Sequence, residues 1–414
     1  MPKPDAVFVE PDLLAIELGQ LLFYDPVLSG NQTVACATCH HPRFGTSDGV
    51  SLSLGDGALG LGPDRRVDPD NPPEQRIPRN APALFNLGAT EFTVMFHDGR
   101  LEADPAKPNG IRTPLGDEMV KGFKSVLSAQ AMFPVLSSDE MAGHYSENPI
   151  AQAVRLGHLT HNGGAWDLIA GRVAAFPEYR QRFDQVIGAD KKITFTDISN
   201  VIADFMVAEW RADNSPFDQY LRGEILLNGV AADGMNLFYG EAGCSDCHSG
   251  QFQTDQGFHA IAMPQFGPGK GARFETHHRD TGRMRVTGDD ADAYKFRTPS
   301  LRNVTQTSPY GHSGAYSELK DVILHHLDPV IGVKSYDISS AILLPLNEAE
   351  DEWILDRPAE IDAIAAANVL VPKSLTDLQV EQLLAFLKAL EDPVSLSGRM
   401  GIPESLPSGL LVPR

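Results

Sequence analysis

Apolar positions recur at helical spacing in several stretches of the chain. In PDLLAIELGQLLF, Leu14, Leu18, Leu21 and Leu22 fall on one face of a 3.6-residue period, which predicts a helix ending near residue 23. ITFTDISNVIADFMVAEW and GVAADGMNLFYG read the same way. SLTDLQVEQLLAFLKALED opens on a Ser or Thr cap and carries Val380, Leu383, Leu384, Leu387 and Leu390 as a stripe. Strand signals are few and short, and no short repeat period appears. The pattern predicts a mainly helical protein with long loops. The polar, Pro-containing stretch RADNSPFDQY predicts a boundary near residue 211, giving units 1–211 and 212–395. The remaining tail, 396–414, ends in SGLLVPR, which reads as a tag remnant and is set aside from fold reasoning.

Composition narrows the class. The 414 residues suffice for two or three domains with real cores, and 42% apolar against 21% charged residues reads as soluble and globular. A formal charge of -21 argues against nucleic acid or an anionic membrane surface as partner. No apolar run approaches the ~20 residues of a membrane span.

The four cysteines carry the chemistry. Cys36 and Cys39 lie in CATCH, Cys244 and Cys247 in CSDCH, and a histidine, His40 or His248, follows each pair. A redox dithiol, a disulfide or a four-cysteine zinc site leaves both histidines unexplained. C-x-x-C-H is the attachment pattern of c-type haem: two thiols on one turn reach the porphyrin vinyl groups, and the next residue brings an imidazole beneath the iron. Two complete motifs predict two covalently bound haems c, one per unit. Covalent haem implies maturation outside the cytoplasm, so a periplasmic location with an export signal already removed is expected. GDGALG (Gly55, Gly57, Gly60) fits a dinucleotide fingerprint, but the Pro-, Gly- and Asp-rich LGPDRRVDPDNPPEQ after it does not open a helix, so a long loop near the first haem is expected instead.

With these motifs stand LGQLLFYDPVLSGNQTVACATCH, PRNAPALFN, FHDGR, QAMFP followed by DEM, PFDQYLRG, GCSDCHSG, DTGR and FRTPSLRNVTQTSPYGHSG. In this order, over most of residues 10–395, they resemble the bacterial dihaem cytochrome c peroxidase and MauG superfamily. The resemblance implies two cytochrome c-like helical domains, one haem in each, with a calcium ion between them. It implies that the first haem meets peroxide, with His40 as proximal ligand and Gln130, Pro134 and Glu140 in the distal pocket. A carboxylate there can move a proton from the near to the leaving peroxide oxygen. A capping role for Glu140 in SSDEM, or Asp139 in its place, is the alternative. The loop LSLGDGALG lacks the distal histidine of reductively activated members, with Asp56 as nearest match, so the first haem is expected to be open.

The resemblance makes the second haem a six-coordinate electron relay with His248 as proximal ligand. Its other ligand is Met in the peroxidases and Tyr in MauG; aligning LKD places His326 there. In LKDVILHHLDP, with Ser317 as cap and Pro329 as stop, Leu319, Val322, Ile323 and His326 share a face, and His325 falls at its edge as a solvated neighbour. A buried histidine bonded to a carbonyl is the plainer alternative for His326; Met263, Met284 and His312 are the other ligand candidates. His97 in FHDGR replaces the Trp that members carry between the haems, so either His97 works by hydrogen bonding or hopping runs through another group, with Phe96, Tyr310 and Trp210 as the substitutes. Asn80, with the carbonyls of Thr307 and Pro309, matches the calcium site. His158 and His161 in HLTH read as solvated.

Three activities follow as expectations. The first is a MauG-like enzyme, nearest the methanobactin-associated MbnH proteins. It uses hydrogen peroxide to reach a high-valent dihaem state and oxidises a Trp or Tyr side chain of a partner protein. The second is a peroxide scavenger fed by a small cytochrome c or cupredoxin. The third, a pure electron carrier, predicts two closed haems, and Gln130 and Glu140 speak against it.

Overall fold

A computed structural model describes residues 1–107, 109–271 and 275–414. The four predicted helices all form. Leu13–Tyr24 starts at Asp12, whose side chain accepts the Leu14 N–H, and buries Leu18, Leu22 and Phe23. It crosses Phe195–Glu209, which opens on a reciprocal Thr194–Asp197 capping box. At the crossing, a Cβ on Gly19 would stand 1.8 Å from the Val201 carbonyl oxygen and 2.9 Å from the Phe205 Cβ, so only glycine fits.

The second half repeats this device. Gly229–Phe238 crosses Asp377–Lys388, whose capping box is Thr376 with Gln379. A Cβ on Gly234 would stand 1.8 Å from the Gln382 carbonyl and 3.0 Å from the Phe386 Cβ. Each crossing anchors its own apolar cluster. One joins Leu18, Leu22, Phe23, Phe205 and Trp210; the other joins Phe217, Phe238, Leu383 and Phe386. Burying each such side chain contributes roughly 1.5–3 kcal/mol.

Strands are as short as predicted. Ala58–Leu59 pairs with Arg66–Val67, Val94–Met95 with Leu101–Ala103 and then Ile111–Arg112, and Phe258–His259 with Phe296–Arg297, all antiparallel. GDGALG runs into the first of these and opens no α-helix. The helix Leu319–Leu327 begins one residue later than a Ser317 cap predicts: Glu318 holds the N-cap position, without a side-chain cap bond. Pro329 starts the next helix, Pro329–Lys334.

Two features tie distant parts of the chain. Arg79 is a buried clamp, with Nε 2.6 Å and Nη2 2.8 Å from the Asp280 carboxylate and Nη1 2.7 Å from Asp98. The segment after residue 395, set aside on sequence, packs back on the first half. Leu406 is buried in the first cluster. The Glu209 carboxylate accepts the N–H groups of Arg399, Met400 and Gly401.

Candidate active site

Cys36–Cys39 forms a single helical turn, and Cys244–Asp246 a tighter 3-10 turn. All four thiols are free. Burial raises Cys36 to about 12 and Cys39 to about 11, so neither is a poised thiolate of the redox-dithiol kind. His40 Nδ1 lies 3.0 Å from the Thr46 carbonyl, with the Pro82 carbonyl also near the ring. His248 Nδ1 lies 3.0 Å from the Gln253 carbonyl. Donation from Nδ1–H fixes the tautomer and leaves the Nε2 lone pair for a metal.

His326 has the same arrangement. Its Nδ1 lies 2.8 Å from the Val322 carbonyl, one turn back in its helix. Its ring faces that of His248 with centroids 6.4 Å apart. An imidazole nitrogen lies roughly 1 Å from the ring centre and bonds a first-row metal at about 2 Å, so two rings sharing one ion stand roughly 6 Å apart.

His325 differs from expectation. It is buried at 3% exposure rather than solvated. Its Nδ1 lies 3.0 Å from the Tyr316 hydroxyl and its Nε2 2.9 Å from the Ile261 carbonyl, so both nitrogens are used. The apolar stripe predicted one buried face, whereas Tyr316 and Ile261 arrive from other segments and cover the adjacent side.

The residues expected in the distal pocket come from one continuous stretch. Gln130 ends the helix Val126–Gln130, Pro134 heads the turn Pro134–Leu136, and Glu140 sits in a single π-turn, Ser138–Ala142, capped by Ser137. Such π-turns are frequent at functional sites. Asp139 is engaged by Gln75 Nε2 at 2.8 Å. Among the described residues no hydrogen bond or ion pair holds the Glu140 carboxyl, so it is the open acid of the pair. Burial raises its pKa, partly offset by Lys270 and Arg100, and its charge also bears on Cys39.

Asp56 faces no vacancy. Its carboxylate accepts from Asn31 Nδ2 at 2.8 Å and Thr33 Oγ1 at 2.6 Å, and its N–H donates to the Asp139 carbonyl. The side chain matched to a distal ligand is therefore a latch that pins loop 51–57 to residues 31–33, while the backbone N–H ties the loop to the turn carrying Glu140.

His97 follows the strand Val94–Met95 and lies at the joint between the halves. Its Nε2 is 3.1 Å from the Asn80 carbonyl, and burial beside Arg79 lowers it to about 4, so the ring is neutral. His312 stacks on Phe296 at 3.6 Å. Among the substitutes for the missing Trp, Phe96 carries the Arg100 guanidinium 4.1 Å above its ring, Tyr310 packs at the second cluster, and Trp210 is sealed against Phe23 and Phe205. Asn80 donates Nδ2 to the Val50 and Ser51 carbonyls, and no hydrogen bond among the described residues reaches its Oδ1. Thr307 and Pro309 flank the cis Ser308–Pro309 bond.

Two haems fit these residues. Besides the thiols and the facing imidazoles, Arg297 is half-buried with its Nη1 buried and without a hydrogen bond, and among the described residues no carboxylate pairs with it. A buried cation needs a counter-charge, and a haem propionate supplies one. Cys247, Asp255 and His259 also gather within 4.8 Å, but attachment through Cys247 removes that thiol from any metal set. Reasoning from sequence alone missed the Arg79 clamp, although PRN, FHDGR and DTGR each contribute one member, Arg79, Asp98 and Asp280.

The di-haem cytochrome c peroxidase family model matches residues 14–225. The chain belongs to the di-haem cytochrome c peroxidase family. Members are haem-dependent oxidoreductases. The methylamine utilization protein MauG of Methylorubrum extorquens is 28% identical over 79% of this chain and 72% of its own. The cytochrome c551 peroxidase of Nitrosomonas europaea is 30% identical over 74% of this chain and 71% of its own. The crystal structure of a MauG-like protein associated with microbial copper homeostasis superposes with a TM-score of 0.61, at 26% identity, covering 96% of this chain and 95% of that one.

Proposed function

We propose that this di-haem peroxidase family member accepts hydrogen peroxide at its first haem without prior reduction. It then draws electrons from a Trp or Tyr side chain of a partner protein, in the MauG-like manner. The observation that carries the reading is the Asp56 latch. Loop 51–57 offers no histidine, methionine or lysine to close the first iron, and its one carboxylate is spent on Asn31 and Thr33.

The haem irons supply peroxide binding and storage of its two oxidising equivalents. Cys36, Cys39 and His40 would hold the first haem in unit 1–211; Cys244, Cys247 and His248, together with His326, would hold the second in unit 212–395. Glu140 takes the proton from the near peroxide oxygen and returns it to the leaving one, while Gln130 orients the peroxide and Pro134 shapes the pocket. His97 links the halves by hydrogen bonding rather than by being oxidised, since an imidazole is harder to oxidise than an indole. Asn80 Oδ1 and the carbonyls of Thr307 and Pro309 offer oxygen ligands suited to calcium.

A nitrogen ligand on the second haem favours its oxidised states over those of a Met-ligated relay. The likeness to a MauG-like protein associated with copper homeostasis supports the same side. The reaction belongs in the periplasm, where haem c is attached. The decisive experiment mixes the fully oxidised protein, never pre-reduced, with hydrogen peroxide. The first haem's high-spin band is expected to change within seconds. A response only after reduction, with fast turnover of reduced cytochrome c, would establish the donor-fed scavenger instead.

A further inference from the structure

The chain has three tryptophans. Trp210 is sealed in the core, and Trp353 lies in the second half between His278 and Arg357. Trp166 is also buried, at 3% exposure and in the same apolar cluster as Trp210, but it borders solvent-accessible space. It forms the floor of a surface cleft of about 200 Å³, beside Met132 and Phe195. Its indole Nε1 donates to the Met132 carbonyl at 2.9 Å. Its ring meets Phe133 edge-on at 6.2 Å and Phe195 face-on at 6.4 Å. Phe133 in turn meets Phe96 at 6.4 Å, and it stands in sequence between Gln130 and Pro134. A continuous run of rings thus joins the residues assigned to the distal pocket with a cleft open to solvent.

The rim of the cleft carries Lys121, Lys192 and Asp167. Lys192 bridges to Asp167 at 2.6 Å, so these two charges offset each other, and exposed Lys121 makes no ion pair among the described residues. That one uncompensated cation favours an anionic group on the occupant. The aromatic floor selects a ring, and the space suits one: an apolar cavity of about 150 Å³ holds benzene.

We propose that this cleft is a second oxidation site, where small anionic phenols such as hydroxybenzoates give electrons to the first haem through Trp166. The inference rests on the peroxide reactivity proposed above. Each phenol loses one electron to Trp166 and its hydroxyl proton to solvent. Trp166 passes the electron inward and returns to its starting state. Two phenols and one hydrogen peroxide thereby become two phenoxyl radicals and two waters. Phe133 and Phe96 are not themselves oxidised; they fill the gap between indole and pocket with close-packed rings.

The test uses the intact dihaem protein. Treated with peroxide and no reductant, it is expected to show a tryptophanyl radical by electron paramagnetic resonance. Oxygen addition at Trp166 is expected in peptide mass spectra. Trp166→Phe removes both and lowers kcat/KM for 4-hydroxybenzoate at least tenfold, and Trp166→Tyr recovers part of that loss. Lys121→Ala raises KM for 4-hydroxybenzoate but not for uncharged p-cresol. A wild-type haem spectrum that ignores peroxide sinks this inference and the proposed function together. A haem that responds, with the radical and phenol oxidation indifferent to Trp166, sinks this inference alone.

Discussion

Substituting His326 by alanine is expected to leave the second iron with one protein ligand and turn it high-spin, read directly by paramagnetic resonance. His325→Ala leaves that iron low-spin. It strands the Tyr316 hydroxyl and the Ile261 carbonyl, costing about 1–3 kcal/mol in a denaturant titration. At Glu140 the prediction concerns pH. Its pKa is raised by burial, so the carboxylate form that the proposed proton transfer needs is populated only above the ordinary glutamate range. The rate of the peroxide reaction is expected to rise with pH through that raised value. Glu140→Gln flattens this limb and lowers the rate on the order of 10²–10⁴-fold. Stopped-flow measurement across pH 4–8 checks both. The helix face that His326 shares with Leu319, Val322 and Ile323 was legible in the helical period. The burial of His325 was not, because Tyr316 and Ile261 reach it from outside that helix, and no local period records them.

The two helix crossings are the elements that set the frame. Gly19 and Gly234 admit no side chain, and each is opposed by a backbone carbonyl that cannot rotate away. Gly234→Ala is expected to force the helices Gly229–Phe238 and Asp377–Lys388 apart, costing at least about 1–3 kcal/mol. The loss of stability would appear as a lower Tm together with altered absorbance of the second haem. The helices themselves were readable from caps and stripes, since Thr194 with Asp197 and Thr376 with Gln379 are local signals. Their partners were not: a glycine in a helical pattern says that something comes close, not what. Loop 51–57 belongs to the same scale. Its sequence shows the missing histidine, while the bonds from Asn31 and Thr33 that occupy Asp56 depend on how the chain folds back.

For the whole molecule, the Arg79 clamp joins segments that the sequence keeps far apart. Arg79 and the glycine turn after Asp280 hold the Asp280 carboxyl far below the usual carboxylate range, and Asp98 is lowered by Arg79 and Arg100. Because the folded pKa is depressed, the stabilisation is fully present above the unfolded value of about 3.9 and is lost as pH falls through the folded one. Asp280→Ala is expected to cost about 3–5 kcal/mol at neutral pH, by leaving Arg79 buried with half its counter-charge. Calorimetry should show the variant's acid-side slope reduced below pH 4. PRN, FHDGR and DTGR stand out in the sequence, but nothing local singles out Arg79, Asp98 and Asp280 within them, and only the fold shows that they form one buried ion cluster.

The paired glycine crossings carry one more consequence. The same joint, built from unrelated local sequence, appears once beside each haem motif. The two crossings share one geometry, and the asymmetry lies in what hangs beside each. Beside one stands Glu140 on a π-turn, and beside the other His326 on a helix. Under the proposed function, catalyst and conductor are then two dialects of one scaffold. Exchanging their loops, with the crossings left intact, is a direct route to a chain with two open irons or two closed ones.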